Sequence, residues 1–420
     1  MRWLAAILVL AASAAAAPGT DQEVGQVFHL TPADLPPPGA TESVVNGSQT
    51  MARPADAALR LPPGFAANLF AEGLGHARWM TVADNGDVLL AQAKDGTVTV
   101  LRDEDGDGTA DLIRIFAGDL AGPHGLAIRD GFLYVADVMG VWRFPYRAGD
   151  TTPSGPRKAV TAPGAFGEPR GHWTRNLVFA PDGRRFYVAI GSRANVAEED
   201  APRATVQVFE ADGSSQRTFA AGLRNPVGIA FHPDTAELYV VVNERDGLGD
   251  GLVPDFLTRV REGEFFGWPY AYIGENPDPD YGDRSPDLVA ATVVPDVLFE
   301  SHSAPLGLVF YDAAQFPTDY RGDAFVALHG SWNRAKPTGY KIVRVRFRAG
   351  RSAATRTSPS ASGTRARRRR VSGAGPPAWP SRATSACWSP TTRAAPSGAS
   401  ATPARHSRRR SPLRPPLSTG

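Results

Sequence analysis

One cysteine, Cys387, stands in 420 residues. A single thiol excludes an intramolecular disulfide and the paired-cysteine attachment of a c-type haem, so any electron acceptor must be a separate molecule. GxSxG is missing, which removes the signature of a nucleophile-elbow hydrolase. Neither GxGxxG after a strand nor GxxxxGK[ST] occurs, and nothing supports a nicotinamide or nucleotide cofactor. No segment longer than a turn or two has a helical period, which argues against a Rossmann or TIM-barrel fold. Long apolar runs are also lacking. "MRWLAAILVLAASAAAAPGT" offers one charge at Arg2, an apolar stretch through Leu10 and small residues to Ala17. That is the plan of a secretory signal peptide and is too short to span a bilayer. The expected location is periplasmic or secreted, with no membrane span.

Negative charge is absent from the C-terminal end. Residues 351–420 contain 14 arginines and no Lys, Asp or Glu, so of 45 basic and 43 acidic residues, 31 and 43 fall in 1–350. The body of the chain is acidic and the basic signal belongs to the tail. "RARRRR" (365–370) would suit nucleic acid or a solvated disordered arm. A slipped reading frame explains it better, and no nucleic-acid partner is expected.

What is present is an irregular repeat of small-residue loop, strand, turn and second strand. It occurs as "HARWMTVADNGDVLLAQAKDGTVTVL" from His76, "PHGLAIRDGFLYVADVMGVWRF" from Pro123, "TRNLVFAPDGRRFYVAIGS" from Thr174, "RNPVGIAFHPDTAELYVVVNE" from Arg224 and "APLGLVFYDAAQFPTDYRGDAFVALHGS" from Ala304. Turns built on Asp, Asn, Gly and Pro separate strands rich in Val, Tyr, Leu and Ala. Such hairpins cannot bury both faces alone, but stacked radially as four-stranded blades they can.

A further copy is hidden in the tail. Read from the third base of each codon, with G or C at third positions, "PPAWP" can encode Ala-Gly-Val-Ala. "SACWSPTTRAAPSGAS" can encode Val-Leu-Val-Ala-Asp-Asp-Ala-Gly-Gly-Thr-Val-Trp-Arg-Val. The expected fold is therefore all-β, a six-bladed β-propeller whose last blade is garbled by a frame slip near 348–351. Its organisation is a signal peptide (1–17), an extended N-terminal segment (18–55), a propeller of about five intact blades (56–350) and a disordered Arg/Ser/Ala/Pro-rich tail (351–420).

In a propeller the loops entering the innermost strands face the channel, where ligands bind. His124 holds that position in its repeat, as do His76 with Arg78, Arg175 with Asn176, Arg224 with Asn225, and Leu306 with Gly307. Imidazole is the usual base near neutral pH, and a satisfied structural histidine is the alternative. Arg224 and Asn225 stand either for a site or for a capped carboxylate and a turn. "NERDGLGDGLVPD" (243–255) either folds over the mouth or offers oxygens to a hard cation. "HGSWNRAKPTGYK" (329–341) suits a planar polyanion or is a solvated basic loop. Asp103, Asp105, Asp107 and Asp111 have the alternating spacing of calcium loops without the terminal glutamate, and read as a structural calcium site or an acidic hairpin tip.

"GPHGLAI", "GLRNPVGIAFHP", "VNERDGLGDGLVPDFLTRVREGEFFGWPYAYIG" and "HGSWNRAKPTGYKIVRV" resemble, in that order, the soluble quinoprotein sugar dehydrogenases, especially their sorbosone/pyranose dehydrogenase-like branch. The resemblance runs from about Leu61 to Phe347. It implies a six-bladed propeller that binds pyrroloquinoline quinone (PQQ) with calcium and oxidises aldoses or related aldehydes, passing electrons to a separate quinone or cytochrome. By the same resemblance His124 is the base, Gln92 contacts the cofactor, and Arg224 with Asn225 binds quinone oxygens, Arg224 stabilising the reducing charge. Main-chain oxygens around Arg245 and Asp246 hold the calcium, and Arg334 with Lys336 takes the cofactor's carboxylates. A calcium-dependent propeller lactonase and a non-catalytic binding module are the rival readings, since a fold does not choose its chemistry.

The frame slip has a direct check. Sequencing the gene is expected to show a one-base shift near codons 348–351, with downstream third bases that restore the sixth repeat; an uninterrupted frame with unsuitable third bases would refute it.

Overall fold

The computed structural model describes residues 23–49, 51–54 and 57–348, with short strands at 351–352, 371–374 and 385–386. Residues 1–17 and nearly all of the 351–420 tail lie outside the described residues, so neither the signal segment nor the restored repeat has structural support.

Five antiparallel sheets follow one another along the chain. Blade 1 comprises Ala77–Val82, Val88–Gln92, Thr97–Arg102 and Leu112–Ala117. Blade 2 comprises Gly125–Arg129, Phe132–Ala136, Val141–Pro145 and Lys158–Ala159. Blade 3 is Arg175–Phe179, Arg185–Ile190, Thr205–Glu210 and Arg217–Ala221. Blade 4 is Asn225–Phe231, Leu238–Asn243, Pro254–Val260 and Val297–Ser301. Blade 5 has Pro305–Phe310, Ala324–Leu328 and Lys341–Val345, extended by Val371–Ala374 and then by the N-terminal Val27–Phe28. The first strand of each blade packs against the first strand of the next, so these five are the inner strands. Helix is confined, among the described residues, to Pro286–Ala290 and three 3-10 turns.

Blades 2, 3 and 4 bury both faces against their neighbours, which is why the second strands are almost wholly apolar. Leu89 and Ala91 meet Leu126, Leu133 and Val135 between blades 1 and 2. Tyr134 and Ala136 meet Leu177, Phe186 and Val188 between blades 2 and 3. Ala189 and Val206 meet Val240 and Val242 between blades 3 and 4, and Tyr239 and Val241 meet Leu308 and Val326 between blades 4 and 5. Blades 5 and 1 share no such core among the described residues. Met80 and Leu90 on the open face of blade 1 pack under Phe70 and Leu74, while Phe325 on that of blade 5 packs with Phe316 and Phe65. Ser385–Ala386 pairs with Trp79 and Met80 and also packs on the inner strand of blade 5. Five blades are therefore described.

Close approach of the inner strands depends on two glycines. A Cβ on Gly125 would lie 2.7 Å from both the Arg175 carbonyl oxygen and the Leu177 nitrogen, and one on Gly228 2.8 Å from the Leu308 nitrogen. Both clashes are with backbone, so a side chain there must spread the ring. Gly125→Val is expected to cost ~1–3 kcal/mol, as overpacking does. Gly118→Ala, where a Cβ meets nothing within 4 Å, should stay within about 0.5 kcal/mol. Thermal melts of the two variants check this.

Candidate functional site

The inner strands enter at one end of the channel, and the connections from second to third strands return to that same end. His76, His124, Arg175, Arg224, Asn225 and the loops after Gln92, Ile190, Asn243 and Leu328 therefore gather at one mouth. The 103–111 hairpin, joining the third and fourth strands of blade 1, lies at the other end.

His124 is held by its own repeat. Its N–H donates to the Ala136 carbonyl (2.9 Å), extending the hairpin ladder by one residue. Buried Asp137 organises the loop before it, accepting hydrogen bonds from the N–H groups of Ala121, Met139 and Gly140 and from the Trp142 indole. The imidazole is 2% exposed and packs between Trp79 and Trp173, with centroids 5.7 and 5.6 Å away. Its Nδ1 has no hydrogen-bond partner among the described residues. Burial, then the charges of Arg78, Arg175 and His76, drive its pKa well below 6.5. This histidine is neutral at pH 7. His76, at φ 37°, stands beside Trp173, over which the Arg78 guanidinium lies at 5.1 Å.

The opposite side of the mouth is a charged network. Arg224 Nε donates to the Asn195 carbonyl (3.0 Å), Nη1 to the Glu244 carbonyl (2.7 Å), and Nη2 to Asn195 Oδ1 (2.9 Å) and Asp246 Oδ2 (3.2 Å). Asp246 Oδ1 accepts from Asn333 Nδ2 at 2.7 Å and faces His302 Nδ1 at 3.4 Å. Burial would raise the Asp246 pKa, but hydrogen bonds from His302 and Asn333 and the charge of Arg224 hold it below the ordinary value. Burial pushes Glu244 up to about 7 and Asp255 to about 6; Asp255 accepts the N–H groups of Glu244 and Ala304. The N-terminal segment clamps this side: Thr41 Oγ1 and Ser43 Oγ accept the Asp250 and Gly249 N–H groups, and Asn46 N–H donates to the Trp332 carbonyl. The 243–255 loop is thus folded back across the mouth.

The remaining sequence candidates differ in how far the fold already engages them. Asn225 is buried with Oδ1 unpartnered. Gln92 is buried in its own blade, its amide donating to the Gly75 carbonyl and Asp95 and accepting from Thr99. The main-chain oxygen of Asp246 accepts from Asn195 Nδ2 (2.9 Å) and Arg245 Nε (3.2 Å), while the Arg245 side chain is ion-paired with Asp278. Arg334 donates to the Ser301 carbonyl and lies 3.9 Å from Asp250, and Lys336 is exposed on the same loop. At the hairpin tip Asp103, Asp105 and Asp111 bring one oxygen each to within 4.8 Å of one another, whereas Asp107 caps the Thr109 N–H. Sequence reading missed Trp173, Asn195, His302 and Asn333 as parts of the mouth; "HWTRN" and "ESHSAP", each just ahead of an inner strand, were the available signals.

These blades and their single polar mouth define a β-propeller with a channel-end site. The chain belongs to the TrAA12-like family, whose model matches residues 59–253 and 283–376. Among solved structures, it is similar to the holo form of the pyranose dehydrogenase PQQ domain from Coprinopsis cinerea (TM-score 0.60, 21% identity, 72% of this chain and 84% of that one). It is also similar to an iodide structure of the Trichoderma reesei family AA12 enzyme (TM-score 0.61, 22% identity, 73% and 86%). Among curated proteins it is 26% identical over 323 residues to a PQQ-dependent pyranose dehydrogenase of C. cinerea, covering 65% of this chain and 43% of that protein. A Borreliella burgdorferi protein of uncharacterised function is 35% identical over 176 residues, 41% of this chain and 46% of that one. The chain spans less than half the length of these curated relatives.

His76 and His172, the latter three residues ahead of the blade 3 inner strand with its Nδ1 2.9 Å from the Ser192 carbonyl, carry a pH signature. Burial, with neighbouring cations, lowers His76 and His172 from 6.5 to about 4. As pH falls below 6.5 the unfolded chain takes up protons that the folded one refuses, so stability is lost between pH 6.5 and about 4. Melting temperatures across that range are expected to fall, and more gently for a His76→Gln/His172→Gln double variant; equal slopes would contradict the assignment.

Proposed function

We propose that this protein is a secreted PQQ-dependent dehydrogenase of aldose sugars or sugar aldehydes, with His124 as base, and that its in-frame chain closes as six blades. The observation that carries this is His124 itself, a neutral imidazole held at the channel mouth with Nδ1 lacking a protein partner. Family membership and the PQQ-dependent pyranose dehydrogenase among its relatives support the chemistry.

The residues fit the cofactor. Asn225 Oδ1, Thr174 Oγ1 and both Asn176 amide atoms are buried and unpartnered at this mouth, which suits a ligand rich in donors and acceptors. When bound, PQQ supplies the two-electron acceptor. Arg224 and Asn225 would bind its quinone oxygens, Gln92 another edge, and Arg334 with Lys336 its carboxylates. Main-chain oxygens about Arg245 and Asp246 would hold calcium. His124 takes the proton of the sugar hydroxyl: lacking a charge, it can accept one, and Arg78 and Arg175 beside it oppose its protonation until substrate charge develops. The Asp103 hairpin, at the far end of blade 1, would bind a structural calcium, and a separate quinone or cytochrome collects the electrons.

The test is reconstitution of the full-length and frame-corrected proteins with PQQ and calcium, followed by dye reduction with a panel of aldoses. The frame-corrected protein is expected to reduce dye, and His124→Ala to do so at least ~100-fold more slowly, the usual effect of removing a general base, while still binding PQQ. No dye reduction, or equal rates in the variant, would refute the proposal.

A further inference from the structure

Arg175, the first residue of the blade 3 inner strand, is 0% exposed and has no carboxylate partner among the described residues. Its Nη1 donates to the carbonyls of His172 (2.7 Å) and Thr174 (2.8 Å), which fixes the plane of the guanidinium. Nε and Nη2 have no hydrogen-bond partner among the described residues. Those two nitrogens form the side-on edge of the guanidinium, whose parallel N–H bonds match a two-oxygen acceptor. Arg175 lies on the strand face that carries Leu177, which packs on Tyr134 and Ala136 of blade 2, and its charge acts on His124. Burial lowers its pKa to about 9, and the nearby Arg203 cation lowers it too. It remains protonated at pH 7. A buried guanidinium without a counter-charge costs several kcal/mol, which an anion would offset.

We propose that Arg175 is a carboxylate-binding residue, receiving a planar two-oxygen anion through Nε and Nη2 in the throat beside His124. Tethering by two carbonyls leaves that edge pre-oriented, and the neighbouring Thr174 Oγ1 and Asn176 amide, also buried and unpartnered, can complete the anion's hydrogen bonds. Two sources share this chemistry: a carboxylate of the cofactor, or that of an acidic sugar such as a uronate. Arg78 adds to the positive potential on this side. The site rests on Arg175's own surroundings and holds whether or not the protein is a dehydrogenase.

The full chain, without cofactor, is titrated with sodium acetate, glucuronate, PQQ and sodium chloride at constant ionic strength, and binding is read by thermal shift and by tryptophan fluorescence, Trp173 being adjacent. At least one carboxylate is expected to bind saturably, and Arg175→Met to weaken it about tenfold or more, as loss of a charged hydrogen-bonded pair does. Without ligand, Arg175→Met should melt no lower than wild type, because it removes an uncompensated charge. Should that variant fail to fold, Arg175→Lys, which keeps the charge but not the fork, is expected to weaken the carboxylates selectively. An Arg175-dependent response to glucuronate and acetate marks the substrate as the source, and one to PQQ alone marks the cofactor. Carboxylate binding unchanged by both variants, no carboxylate binding at all, or chloride acting as well as acetate would overturn the assignment.

Discussion

Inner strands can stand shoulder to shoulder around a channel only where no side chain separates their backbones, and in this protein Gly125 and Gly228 meet that condition. Gly125 presses on the Arg175–Leu177 backbone and Gly228 on that of Leu306–Leu308. The contact draws the first residues of successive strands into one mouth. Polar groups at those positions then leave water with too few partners: His124, Thr174, Arg175, Asn176 and Asn225 all retain unpartnered buried atoms there. Inter-blade packing stabilises the fold enough to tolerate them.

The mouth divides by charge. Around His124, burial between the rings of Trp79 and Trp173 and the charges of Arg78 and Arg175 keep the imidazole neutral. Around Arg224 the carboxylates and amides gather instead, and Asp246 is tied to Arg224, Asn333 and, more loosely, His302.

The blades were readable because their strands carry local signals. Each of the five quoted repeats became the first two strands of a blade, with turns at Asn85–Gly86, Asp130–Gly131 and Asp182–Gly183. His124 and the Arg224–Asn225 pair were also readable, since position ahead of an inner strand is a property of the repeat. The network around Asp246 was not. Asn195, His302 and Asn333 reach it from three loops, 51 to 87 residues away along the chain, and no local spacing encodes their meeting. Gln92 and Arg334 show the converse. Their residue types suit a ligand, yet in the fold Gln92 serves its own hairpin and Arg334 holds the Ser301 carbonyl beside Asp250.

The sequence by itself determined the class of architecture, the strand pairs, the end of each pair that bears polar residues, and the unlike character of the tail, because turn chemistry, alternation and composition act over a few residues. Tertiary structure decided which of those polar residues share a mouth, which are already satisfied, and which are left with unused hydrogen bonds. Those outcomes depend on ring closure and desolvation, which no segment experiences until its neighbours are in place. Arg175 makes the difference plain: in sequence it is one more arginine ahead of a strand, and in the fold it is a fully buried charge with its bidentate edge unpaired.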